Sequence, residues 1–131
     1  MALKGKHAEA YGFAMQRGFE LAREENNNAG DVNLTFVTVD DRSCVDGAKE
    51  AVRRLADHGV SAIVGLAIST HLKEAAPIAQ QHRIIAFSSV SSAAGLSAIG
   101  DFIFRTSLAT NISIPSGLTA TQQNSAIKQW H

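Results

Sequence analysis

The sequence has 131 residues, with 12 Lys+Arg against 12 Asp+Glu, five His and one Cys. At 45% hydrophobic and 18% charged it is a globular composition with material for one core, neither disordered nor fibrous. Zero formal net charge argues against a chain whose main task is gripping nucleic acid or an anionic membrane, the single cysteine excludes an intramolecular disulfide, and no apolar run approaches the ~20 residues that span a bilayer.

The opening MALKGKHAEA is basic but has no apolar stretch, so it does not read as a signal peptide. From about Tyr11 to Asn28 the spacing predicts a helix, with Ala14, Met15, Gly18, Phe19 and Ala22 on one face and Gly30 as its left-handed stop. Asn33 to Val39 (NLTFVTV) is rich in β-branched and aromatic residues and reads as a strand running into the polar Asp40-Asp41. A second helix fits Asp46 to His58, with Ala48, Ala51, Val52, Leu55 and Ala56 on one face. Val60 to Gly65 (VSAIVG) reads as a buried strand. Thr70 to about His82 is helical in pattern, with Pro77 expected to kink it or mark its first turn. Arg83 to Phe87 (RIIAF) is the next strand, then a Ser/Ala/Gly loop, a short strand Phe102 to Arg105, and a last helix from about Ile114 to Trp130 with Pro115 in its first turn.

Strands separated by amphipathic helices predict an α/β fold: a doubly wound, Rossmann-like parallel sheet. Such a sheet normally starts with a strand that becomes central to it. Here only Ala2-Leu3 precede the first helix, and no strand follows the last one, so both ends read as truncated.

The ordered runs YGFAMQRGFELAREENNNAG, LTFVTVDDRS, AKEAVRRLADHGVSAIVGLAIST, APIAQQHRIIAFSSVSS and FIFRTSLATNISIPSGLTATQ resemble the amino-terminal lobe of type I periplasmic binding proteins. The nearest subfamily is the branched-chain amino acid (Leu/Ile/Val) and amide-binding components of ABC transporters. The resemblance implies that residues 1–131 are part of that lobe, that the second lobe is absent, and that the location is periplasmic. It also implies a first strand between NLTFVTV and VSAIVG. Without that strand two edges lack partners, so Met1 to Lys4 are expected to pair only partly, or another chain to supply the strand by oligomerisation or swapping. The cysteine pairing of some members cannot form, because Cys44 is alone and Ile68 stands where a partner is expected.

Ligands of open α/β sheets bind outside the carboxyl ends of strands. Two such loops here are rich in hydroxyls: Leu66-Ala67-Ile68-Ser69-Thr70, and Ser88-Ser89-Val90-Ser91-Ser92. A helix amino terminus offers free N–H groups to a carboxylate, and hydroxyls can orient an α-carboxylate and an α-ammonium. The resemblance places the ligand carboxylate on Ser69 and Thr70, carboxylate and ammonium contacts on Ser91 and Ser92, and Tyr11 over the ligand side chain. Ser92 stands where a Thr is usual, keeping the hydroxyl and losing a methyl. Taken alone, Ser69 or Thr70 also reads as an N-cap, SSVSS as a solvated turn, and Tyr11 as packing.

Enzymatic readings find little. There is no G-x-S-x-G elbow, no zinc spacing of His or Cys and no phosphate-binding glycine loop, so no catalytic residue, metal or cofactor is expected. His58, His71 and His82 read as scattered surface residues, Cys44 as a buried or half-buried thiol, Asp40-Asp41 as loop caps, and Arg105 as structural. The expected function is capture of a branched-chain amino acid or related amide for an ABC permease, with no nucleic-acid partner. The alternatives are a ligand-sensing domain of a receptor or regulator, or a remnant with no function of its own.

Overall fold

A computed structural model gives the fold of residues 1–30 and 32–123, with side chains described as far as residue 121. The expectation for residues 124–131, including Trp130, lies outside the described residues.

The first helix begins with a π-helical turn at Ala8–Gly12 and continues as α1 (Phe13–Ala29). Gly30 ends it at φ 87°, donating its N–H to Asn26 as expected of a left-handed stop. Helix α2 (Val45–Asp57) buries Gly47, Ala48, Ala51 and Val52. Its N-cap is Cys44, whose Sγ accepts the Gly47 N–H at 3.3 Å. The thiol is exposed, not buried, because it sits at the cap and not on the apolar face. Helix α3 (Ser69–Gln81) carries Pro77 in its interior and starts well before it, so the proline does not mark the first turn. Helix α4 (Thr110–Gln123) starts four residues earlier than the pattern suggests, which moves Pro115 out of the first turn.

Three short strands, β1 (Ala62–Val64), β2 (Ile85–Ser88) and β3 (Ile103–Arg105), form a parallel sheet in the order β1-β2-β3. Ile63 lies opposite Ala86, and Phe87 opposite Phe104. This is the α/β parallel-sheet architecture expected of strands alternating with helices. Ile63, Ala86 and Ile103 share a core with Ala48 and Val52 of α2 and Leu72, Ala75, Ala76 and Ala79 of α3. Burying such side chains contributes roughly 1.5–3 kcal/mol for each large aliphatic one. The alternate positions Val64, Ile85 and Phe104 are exposed, so β1 is not the fully buried strand its apolar run suggests.

The largest departure is Asn33–Val39. These residues form no strand, although their composition favours one. A strand exists only with a ladder partner about 4.8 Å away. Among the described residues β1 pairs with β2 alone, and a cavity of about 360 Å³ lies between residues 34–39 and β1. Composition supplies the propensity; the missing neighbour removes the ladder. The same gap explains why α1 fully buries no residue: Met15 and Phe19 are only half-buried.

Met1 to Lys4 occupy one end of that gap. The Met1 ammonium donates to the Val39 carbonyl, and the Asp41 N–H donates to the Met1 carbonyl, each at 3.0 Å. That is a single parallel rung opposite Asp40. Pairing is thus partial, as expected. Asp40 Oδ1 accepts the N–H groups of Leu3, Lys4 and Arg42, while Asp41 Oδ1 accepts that of Ser43, so both carboxylates cap the loop. Desolvation would raise the Asp40 carboxyl, but the three N–H donors outweigh it and hold the group below its ordinary range. Those contacts also hold Arg42 and Ser43 in the left-handed region, at φ 54° each.

Candidate functional site

The carboxyl ends of β1 and β2 lead into the two hydroxyl loops, which the fold brings together. Ser88 Oγ and Ser91 Oγ both donate to the Leu66 carbonyl at 2.8 Å, and Ser91 Oγ also lies 3.0 Å from the Ala67 carbonyl. The Ser91 N–H in turn donates to Ser88 Oγ at 3.1 Å. Both serines are buried, so these hydroxyls satisfy carbonyls that would otherwise be stranded away from water. The Ser91 proton is committed to the scaffold; its oxygen retains acceptor capacity.

Ser69 and Thr70 are the first two residues of α3, and the N-cap is Ile68, an extended residue with no side-chain cap. Neither hydroxyl is therefore the N-cap. The first intrahelical bond runs from the Leu72 N–H to the Ile68 carbonyl at 2.9 Å. The N–H groups of Ser69, Thr70 and His71 consequently have no acceptor within the helix, and they carry the positive end of its dipole. Ser69 is half-buried and accepts the Ala93 N–H at 3.3 Å, which joins it to the second loop; Thr70 is exposed.

Ser92 is half-buried, and its carbonyl accepts the Thr110 N–H at 2.9 Å, so the second loop also anchors the start of α4. Arg105 holds this loop by donating to the Ala93 carbonyl at 2.6 Å and to Ser97 Oγ at 3.1 Å, the structural role expected of it. Ser69 and Ser91 therefore tie the two loops together, while the bond from Ser92 runs onward to α4.

Tyr11 reaches this region indirectly. Its ring is 6.2 Å from that of His7, which is 6.1 Å from His71 in the first turn of α3. His71 is buried, contrary to its reading as a surface residue, because it continues the Ala75 and Ala79 stripe of α3 by one turn. That i, i+4 spacing was the available signal. Its Nδ1 lies 3.6 Å from Asp41 Oδ2, too far for a hydrogen bond, and is left without a partner. Burial lowers the imidazole pKa below its ordinary 6.5, against the opposing pull of Asp41. Sequence reasoning missed this buried pair.

Among the described residues no cluster of His, Cys, Asp or Glu could hold a metal ion, and no helix is long and apolar enough to cross a membrane. Chemically, the start of α3 offers N–H groups, with the Ser69 and Thr70 hydroxyls, to an anionic group.

A periplasmic binding protein family model matches residues 2–130, and the chain belongs to that family. More particularly, its fold is that of branched-chain amino acid transporter binding proteins. The structure of the substrate-binding protein LivJ from Streptococcus pneumoniae, solved with isoleucine, is 30% identical at a TM-score of 0.78, over 82% of this chain and 32% of that one. An ABC transporter substrate-binding protein from Desulfitobacterium hafniense in complex with Leu is 26% identical, TM-score 0.72, over 82% and 34% of the two chains. A leucine-binding protein LivK from Thermotoga maritima shares the fold at 23% identity and TM-score 0.82, over 94% and 35%. The chain spans about a third of the length of these structures. No curated protein sequence matches it.

Proposed function

We propose that this chain contributes the amino-terminal-lobe part of a solute-binding site, holding a branched-chain amino acid or related small amide for an ABC permease without converting it. The observation that carries the reading is the uncapped start of α3. Three N–H groups, at Ser69, Thr70 and His71, have no acceptor within the helix, and Ser69 touches the second loop at Ala93; there a carboxylate needs no Arg or Lys. The ligands bound in two similar structures, isoleucine and leucine, are carboxylates with an ammonium and an apolar side chain. In this reading Ser69 and Thr70 hold the carboxylate, Ser92 and the acceptor side of Ser91 hold the ammonium, and Tyr11 covers the side chain.

Residues 1–131 correspond to part of one lobe, and the opposing contacts come from a second lobe outside them. The setting of such a component is the periplasm, and its partners are the small solute and the permease. Closure of two lobes around the ligand supplies most of the apolar enclosure in this arrangement. Calorimetry with leucine, isoleucine, valine and short amides tests the reading. Millimolar or weaker affinity is expected for this chain alone. Micromolar affinity would show that a second lobe is unnecessary.

A ligand-sensing receptor or regulator could use the same lobe. Genes beside this one discriminate: a permease and ATPase support transport, a kinase or transcriptional regulator supports sensing.

A further inference from the structure

Among the described residues, Nδ1 of His71 is the only buried side-chain nitrogen or oxygen without a hydrogen-bond partner. An unpaired polar atom away from water is costly, so its position calls for a reason. Asp41 Oδ2 lies 3.6 Å away, and both side chains are almost fully enclosed. A hydrogen bond between them needs that gap to close by about 0.5 Å. An uncharged imidazole can keep its proton on the other ring nitrogen and has nothing to donate toward Asp41. A charged one carries a proton on Nδ1 as well, directly beside the carboxylate.

Charged groups face His71 from two sides. Lys6 and His7 approach from the amino-terminal segment, with the His7 ring edge-on at 6.1 Å, and both add like charge; Asp41 opposes them from the loop at residues 40–43. The Met1 ammonium also acts on Asp41. On α3 itself the neighbours are Lys73 and Glu74, and Glu74 pairs with Lys49 of α2 at 3.2 Å. The other elements packed on α3, β2 and the 3₁₀ turn at Leu96–Ala98, carry no titratable residue. Asp41 is also tied to the amino-terminal segment. Its Oδ1 accepts the Ser43 N–H at 2.9 Å, while Ser43 Oγ donates to the Lys4 carbonyl at 2.6 Å and accepts the His7 N–H at 3.2 Å. A Cβ on Gly5 would meet Ser43 at 3.0 Å, so the segment has no slack there. The His7 carbonyl in turn accepts the N–H groups of Tyr11 and Gly12 at 3.1 and 3.3 Å. Movement of Asp41 is thereby carried through Ser43 and His7 to Tyr11 along a continuous path of contacts.

We propose that His71, Asp41 and His7 form an acid-operated switch on the segment that carries Tyr11. Uncharged, His71 keeps the His7 ring packed against the start of α3. Charged, it closes onto Asp41 and repels Lys6 and His7, so Tyr11 shifts relative to α3. Burial keeps the imidazole uncharged until the pH falls below its ordinary 6.5, so the switch works in acid. It rests on these contacts and stands whether or not Tyr11 covers a ligand.

The test is an NMR pH titration of the isotopically labelled full chain, following the imidazole nitrogens of His71 and His7, the Tyr11 ring and the Ser43 amide. The Ser43 and Tyr11 signals are expected to shift with the midpoint of His71, below 6.5, and the Overhauser contact between the His7 and His71 rings to be lost over the same range. His71→Gln should abolish that transition at Ser43, with the His7 ring still present as a control. Asp41→Asn is a second variant, in which His71 should take up its proton at lower pH and Ser43 should no longer follow it. The wild-type midpoints decide the matter should neither variant fold. A His71 transition that leaves Ser43 and Tyr11 unmoved, a ring contact that survives it, or a Tyr11 shift that follows His7 alone would overturn the proposal. So would unfolding of the chain before His71 takes up its proton.

Discussion

Ser91 and Leu66 join the two hydroxyl-rich loops: the buried Ser91 hydroxyl donates to the Leu66 carbonyl at 2.8 Å, the same acceptor used by Ser88 at 2.8 Å. Two donors on one carbonyl lock the chain leaving β1 to the chain leaving β2. The resemblance assigns Ser91 to ligand, while the geometry gives its proton to the scaffold. A hydroxyl can serve both, donating to the carbonyl and accepting from an ammonium.

Ser91→Ala is expected to destabilise the chain by about 1–2 kcal/mol, the usual cost of losing a buried hydrogen bond. Because Ser88 and Ser91 share the Leu66 carbonyl and contact each other, the double alanine variant should not cost the sum of the single ones. Urea unfolding of the four proteins measures this coupling. Strict additivity would show that the shared carbonyl does not link them.

Stability should also depend on His71. Burial lowers its pKa in the folded chain, opposed by Asp41, while His7 and Lys6 add like charge from the amino-terminal segment. The folded state therefore binds fewer protons than the unfolded state between the lowered value and the ordinary 6.5. Stability is full above 6.5 and is lost as pH falls through that window. Urea midpoints at a series of pH values should fall on acidification, and His71→Gln should flatten that part of the profile. An unchanged slope in His71→Gln would assign the dependence to another group.

Gly12 is where the amino-terminal segment crosses the first helix. A Cβ there would collide with the Ala2 carbonyl, which is backbone and cannot swing aside as a side chain would. Gly12→Ala should cost about 2 kcal/mol or more, as overpacking does. It should also release the Met1–Asp40 rung, seen as faster exchange of the Asp41 amide. Loss of stability with that amide still protected would mean the collision is absorbed by the helix.

Much of the fold is legible from local pattern. Helix α2 follows its Ala48, Ala51, Val52 and Leu55 stripe, and Gly30 ends α1 at a positive φ that glycine tolerates. The motif order also points to the periplasmic binding protein family, to which the chain belongs. What local pattern does not reveal depends on neighbours. NLTFVTV has strand propensity, but no strand forms without a ladder partner. His71 is polar by composition yet buried by its place on α3, and Cys44 is apolar by type yet exposed because it caps α2. Ser69 and Thr70 look like N-caps, whereas the extended residue Ile68 takes that position and leaves their N–H groups uncapped. The proximity of Ser69 to Ser91 and Ser92 is a product of parallel crossover and has no local signal.

The most direct test of the account is the backbone amide spectrum of the isotopically labelled chain during titration with isoleucine. Progressive, fast-exchange shifts are expected at Ser69, Thr70 and His71 and at Ser92 and Ala93, weakened by Ser69→Ala. Shifts confined to residues 34–39 and 62–64, or none near the solubility limit of the amino acid, would contradict it.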